Sequence, residues 1–165
     1  MINIQAKKWH LIWLLKKFLY RKLYKNNIII PASVTFRTGF TIYMSNNGKI
    51  QIGENVFFNN YCSLTAMGLI KIGDNCIFGE GVKIYDHNHV FKKVPELITS
   101  QGFKVGKVII GNNCWIGSNV VILKGTVIGD NSVISAGCVI DSSIPSNSIV
   151  KRDGTIELIR CDRTE

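Results

Sequence analysis

Four times the chain repeats one phrase, Ile-Gly-acid/Asn-Asn: Ile52-Gly53-Glu54-Asn55, Ile72-Gly73-Asp74-Asn75, Ile110-Gly111-Asn112-Asn113 and Ile128-Gly129-Asp130-Asn131. Around these anchors an aliphatic residue or Phe returns every sixth position, as Ile110, Ile116, Ile122, Ile128, Ile134 and Ile140, or as Ile72, Phe78 and Ile84. Such a period suits neither a helix nor an ordinary hairpin strand. It marks an all-β solenoid in which each hexapeptide lays one short strand and one corner, three of them closing a triangular coil. The anchor spacings of 20, 38 and 18 residues then predict coils of eighteen residues, one carrying a two-residue bulge near Met67-Gly68 and one broken by a twenty-residue insertion.

At 165 residues the chain is expected to form one domain with a core running along the solenoid axis. The net charge of +9 suggests nucleic acid only until it is divided. Residues 1–53 carry nine Lys or Arg and no carboxylate, whereas residues 54–165 carry eleven of each sign. The repeat body is therefore neutral, and no nucleic-acid stripe is expected on it. The greasy run from Trp9 to Leu15 is too short to span a membrane, and no signal-peptide cleavage pattern follows it. The expected location is the cytoplasm, or the inner face of the membrane if the basic arm binds lipid.

Residues 1–27 are expected to form a basic helical arm, 28–147 the solenoid with its inserted loop 86–107, and 148–165 a tail capping the open end. Ile28 to Met44 reads as a less regular first coil, and the six-residue rhythm stops after Pro145. In the arm, Trp9, Ile12, Leu19, Tyr20 and Leu23 share one helical face, broken by Lys16, while Leu11, Leu14, Leu15 and Phe18 lie toward the other. Such a helix needs two partners. The solenoid would take one face; a neighbouring subunit or an anionic membrane would take the other. Basic residues that wrap around the wheel favour the subunit.

Cys62, Cys76, Cys114 and Cys138 each fall four residues after a hexapeptide anchor, where Val56, Val82, Val120, Thr126 and Ser132 stand in other coils. That slot takes compact side chains facing the coil interior, so these cysteines are expected to pack and not to bind metal. Cys161, in the tail, has no such role.

The insertion contains Asp86-His87-Asn88-His89, with two of the three histidines in the chain. A loop that projects from a rigid scaffold and carries titratable groups is a usual place for function. Only His10 remains as a third imidazole ligand, and no Ser has a GxSxG setting. A carboxylate such as Asp86 could still complete a metal site, and a hydrogen-bonded loop with no chemistry is the other alternative. The favoured reading is a lone general base, since imidazole can take a proton near neutral pH and return it.

The hexapeptide rhythm, the Asp-His-Asn-His loop and the run Gly111-Asn112-Asn113-Cys114-Trp115-Ile116-Gly117-Ser118-Asn119-Val120-Val121-Ile122 resemble the hexapeptide-repeat acyltransferases, in their galactoside, maltose and capsular polysaccharide O-acetyltransferase branch. The resemblance covers roughly residues 50–145 and implies a left-handed parallel β-helix. It further implies a homotrimer with active sites between subunits, acetyl-CoA as acyl donor, no metal and a saccharide acceptor. Counted from Ile84, the family's catalytic histidine falls on His89, with His87 beside it and Asp86 available to orient an imidazole. Asn59 matches an acceptor-binding asparagine, and Trp115, placed at a corner, matches a Trp near the thioester arm. Gly117, Ser118 and Ala136 match positions beside the pantetheine, while Lys124, Lys151 and Arg152 are available for the cofactor's phosphates. The departures are Ala66-Met67 where the galactoside enzymes carry an acid, Asp141-Ser142 in place of Thr-Lys, and Lys151-Arg152-Asp153-Gly154 in place of the usual ending. The implied reaction is O-acetylation of a sugar hydroxyl. Its rivals are N-acetylation of an amino sugar or small amine, a γ-carbonic-anhydrase-like metal enzyme, and a non-catalytic scaffold.

Overall fold

A computed structural model describes residues 4–45 and 47–159, with the side chains of the N-terminal helix described from residue 12 onward. Short parallel strands stack into three flat faces of a left-handed β-helix. The first face runs Ile28–Ile29, Lys49–Ile52, Leu69–Ile72, Lys107–Ile110 and Val127–Ile128. The second holds Thr35–Phe36, Phe57–Phe58, Ile77–Phe78, Trp115–Ile116, Val133–Ile134 and Ser148–Val150, and the third Thr41–Met44, Ser63–Ala66, Lys83–Tyr85, Val121–Ile122 and Val139–Ile140. Residues 28–44 thus complete a full coil. Because Leu69–Ile72 pairs directly with Lys107–Ile110, the insertion leaves the stack unbroken.

Like residues fall above like. Phe36, Phe58, Phe78, Ile116, Ile134 and Val150 form one inward column, and Ile42, Leu64, Ile84, Ile122 and Ile140 another, all buried. Burying such ladders is the main stabilising term for a solenoid whose coils touch only their neighbours.

Each letter of the recurring phrase has a structural role. Its Ile is a core rung. Its third residue reaches back one coil: Asp74 Oδ1 accepts from Glu54 N at 2.7 Å, Asn112 Oδ1 from Asp74 N at 2.8 Å, and Asp130 Oδ1 from Asn112 N at 2.6 Å. That approach leaves no room at the glycine, since a Cβ on Gly111 would lie 2.3 Å from Asp130 Oδ1 and 2.7 Å from its backbone N. Asn55, Asn75, Asn113 and Asn131 turn the corner with positive φ, which Asn tolerates.

The compact slot behaves as expected, with Cys62, Cys76, Cys114 and Cys138 all buried among the core rungs. The slot also carries a donor. Cys62 Sγ donates to Gly79 O at 3.1 Å, Cys76 Sγ to Gly111 O at 3.1 Å, Ser132 Oγ to Pro145 O at 3.0 Å and Thr126 Oγ1 to Ile140 O at 3.1 Å. Burial pushes the Cys62 thiol above its ordinary value. Cys161 lies outside the described residues.

The N-terminal helix α1 (Ile4–Tyr24) covers the start of the solenoid. The first coil has no preceding coil to pair with, and a bare sheet edge is costly when covered without partners. The helix supplies those partners. Lys16 Nζ donates to Phe40 O at 3.1 Å, and Lys17 Nζ to Ala32 O at 2.7 Å and Val34 O at 2.9 Å. Arg21 reaches Ile30 O, the Tyr20 hydroxyl accepts from Ile42 N at 3.2 Å, and the Tyr24 hydroxyl donates to Ile42 O at 3.3 Å. Burial, with Arg21 nearby, pushes the Lys17 ammonium below its ordinary value. The inward face differs from that expected from the helical wheel: it is Trp13, Lys16, Lys17, Tyr20 and Tyr24, whereas Leu19 and Leu23 are exposed. Lysines, not leucines, face the solenoid because the surface they meet is a row of carbonyls.

The rhythm also outlasts Pro145. Ser148–Val150 is one more parallel rung on Val133–Ile134, after which Ile156–Leu158 turns back antiparallel against it.

Candidate active site

The insertion leaves the solenoid after the third face and returns to the first. Its root is a two-stranded antiparallel hairpin, His87–His89 against Phe103–Val105, with His87 opposite Val105 and His89 opposite Phe103. Phe103 touches both imidazoles, 5.4 Å from the His87 ring edge-on and 4.4 Å from the His89 ring. His87, Asn88 and His89, with Tyr85, Phe91 and Ile98, wall an open depression of about 560 Å³.

Asp86 anchors this hairpin. One register step beyond the Thr65 and Tyr85 pair, it falls at the inward position that Met44 and Ala66 occupy in earlier coils, and it is 0% exposed. A carboxylate at a core position is costly unless its oxygens are satisfied. They are: Oδ1 accepts from Met67 N and Oδ2 from Gly68 N, both at 2.8 Å. The predicted bulge at Met67-Gly68 is thus the place where two backbone N–H groups turn toward the acid. Oδ1 also lies 3.0 Å from His87 Nδ1, so Asp86 orients His87. His89 makes no such contact; it is exposed at the strand end, with its ring on Phe103. Replacing Asp86 by Ala should cost about 3 kcal/mol, since it empties a buried position and strands two partly buried N–H groups. A denaturation midpoint unchanged from the parent would show that those bonds carry little.

Asn59, Gly117, Ser118 and Ala136 fall on a different edge, the column of corners between the second and third faces. The column is bonded coil to coil through Gly79 N to Ile116 O, Gly117 N to Ile134 O, Asn119 N to Glu80 O and Gly137 N to Ser118 O. A Cβ on Gly117 would meet Ala136 N at 2.6 Å, so only glycine lets these corners stack this closely. Asn59 Oδ1 is engaged locally, accepting from Asn60 N at 2.8 Å and Arg37 Nη1 at 3.4 Å. Trp115 lies on a strand, not at the expected corner. It points outward from the second face between Ile77 and Val133, 57% exposed, because alternate strand positions face solvent. Lys124 stands apart from this column, beside Gly106 at the hairpin root. Lys151 is tied to Glu157, whose carboxylate holds its ammonium above the ordinary range, and Arg152 is exposed. Within one chain, then, Asp86, His87, His89 and Lys124 gather at one edge of the third face, and the other candidates line the opposite edge or the second face. No group of three or more His, Cys, Asp or Glu suited to a metal ion occurs among the described residues.

The family of bacterial transferase hexapeptides (six repeats) matches residues 107–142. A solved galactoside acetyltransferase in complex with coenzyme A superposes with a TM-score of 0.61 at 30% identity, over 85% of this chain and 68% of that one. The chain belongs to the hexapeptide-repeat acyltransferases. Among curated relatives, the galactoside O-acetyltransferase of Escherichia coli K12 is 35% identical over 66% of this chain, which spans about half, 52%, of its length. A protein of the same organism provisionally named as the lipopolysaccharide biosynthesis O-acetyl transferase WbbJ is 29% identical over 80% of this chain and 78% of its own.

The anchoring role of Asp86 was within reach of the sequence, as an acid standing where the inward register demands an apolar residue. The partition of the basic arm was not. Lys16, Lys17 and Arg21 act through carbonyls of the first coil, which no spacing rule identifies.

Proposed function

We propose that the chain is an acetyl-CoA-dependent O-acetyltransferase acting on a sugar hydroxyl, of a surface polysaccharide or its precursor, with His89 as general base. The observation that carries the reading is the hairpin itself, which lifts an exposed imidazole off the β-helix at the rim of an open depression. The O-acetyl transferase names of the two Escherichia coli relatives, and the coenzyme A bound by the galactoside enzyme, support the reaction class.

The corner column suits a long, extended acyl carrier. Small residues, Gly79, Gly117, Ser118, Ala136 and Gly137, recur along it, and the N–H groups of Ser118 and Ala136 make no hydrogen bond to another described residue, in contrast to Glu54, Asp74 and Asn112 on the neighbouring edge. Because hairpin and column lie on opposite edges of one face, a homotrimer that sets the column of one subunit against the hairpin of the next would complete the site. The outward apolar row Phe57, Ile77, Trp115 and Val133 supports such packing.

Acetyl-CoA supplies the acyl group as an activated thioester. His89 removes the acceptor hydroxyl proton as the oxygen forms its bond to the acyl carbon, and returns that proton to the departing thiol sulfur. Asp86 and His87 fix the hairpin so that the base meets the acceptor at ~3 Å. Free-thiol release with paired hydroxyl and amino-sugar acceptors tests the assignment. Turnover is expected with the hydroxyl acceptor. Turnover confined to the amine would move the chain to N-acetylation, and failure to bind coenzyme A would remove the transferase reading.

A further inference from the structure

We propose that the outward face of α1 is a membrane-docking surface for anionic lipid headgroups. Leu14, Leu15, Phe18 and Leu19 form a contiguous exposed patch on that face, at 46%, 58%, 61% and 51% exposure. Large exposed apolar patches rimmed by polar groups mark contact surfaces. Lys22 stands one turn after Phe18, exposed, and Lys25 follows in the next turn, also exposed. The first half of the helix adds Lys7 and Lys8 in sequence.

On a helical wheel the basic residues encircle this segment and hide its polarity. The structure separates them. Lys16 and Lys17 bond to carbonyls of the first coil, and Arg21 bonds to Ile30 O, so these three belong to the cap. What remains outward is an apolar patch followed by lysines, the arrangement of a helix lying in a membrane interface with its lysines reaching up to the headgroups. No helix among the described residues is long and apolar enough to cross a membrane, and the proposed contact is with the headgroup surface.

Charge selects the occupant. No carboxylate occurs before Glu54, so the same face of a second copy would set lysine against lysine. A negatively charged lipid surface complements it, each lysine adding favourable energy within a screening length.

Full-length protein is sedimented with vesicles of phosphatidylcholine alone and of phosphatidylcholine with phosphatidylglycerol. Partitioning at least about tenfold stronger onto the anionic vesicles, weakening as salt is raised, is expected. Lys22→Glu with Lys25→Glu should abolish the preference, and Leu15→Ser with Phe18→Ser should lower binding at every salt concentration. All four side chains are exposed, so circular dichroism should show the fold retained. Equal or absent binding to both vesicle types overturns the proposal. So does a Leu15→Ser, Phe18→Ser variant that binds vesicles normally but loses oligomer mass by light scattering, which would make the face a contact between copies.

Discussion

Replacing His89 by Ala is expected to lower acetyl transfer by about 10²- to 10⁴-fold, the usual contribution of a positioned general base. The fold should survive. His89 is exposed, and its contact with Phe103, 4.4 Å between rings, is a tilted contact at the surface. Affinity for coenzyme A, measured by calorimetry, should change little, because in the proposed site His89 meets the acceptor hydroxyl while the carrier lies along the corner column. His87→Ala is the necessary comparison, since one observation favours His87 as base: its Nδ1 is 3.0 Å from the Asp86 carboxylate, leaving Nε2 as the free nitrogen. If His87 only positions the hairpin, its loss should lower both the denaturation midpoint and turnover. If His89→Ala keeps near-parental turnover while His87→Ala abolishes it, the base is His87.

Phe58→Ala should have the largest effect on stability, about 3–5 kcal/mol. Phe58 is 1% exposed and sits between Phe40 at 4.8 Å and Phe78 at 4.6 Å, centroid to centroid, with Phe36 stacked beyond Phe40 at 4.7 Å. Removing the middle ring opens a cavity between rigid coils that cannot collapse independently, because each strand is held to its neighbours above and below. Guanidinium denaturation reads this as a lower midpoint. Phe18→Ala is the control: that ring is 61% exposed, and its loss should cost within about 0.5 kcal/mol. Equal shifts for the two variants would show that the aromatic stack does not govern stability.

Much of this molecule was legible in its residue order. The six-residue period names the core rungs, and the phrase Ile-Gly-acid/Asn-Asn marks one column of corners. The slot shared by Cys62, Cys76, Cys114 and Cys138 with Val, Thr and Ser follows from the same count. A solenoid permits this because each coil meets only the coils beside it, so position along the chain translates directly into position in space. The break in the rhythm likewise exposed Asp86-His87-Asn88-His89 as the functional candidate.

Tertiary structure decided what depends on partners outside the repeat. Asp86 could be located by register, but only the turned N–H groups of Met67 and Gly68 show why a buried acid is stable there and why it orients His87 in preference to His89. Trp115 could be matched to a motif, yet its outward strand position follows from the register of its own face. The arm differs most. Its composition says basic and apolar, whereas the unpaired carbonyls of the first coil determine which lysines turn inward and which face is left for another surface. Hydrogen-bonding demand at an open edge is a property of the assembled stack, and it is absent from any local pattern of residues.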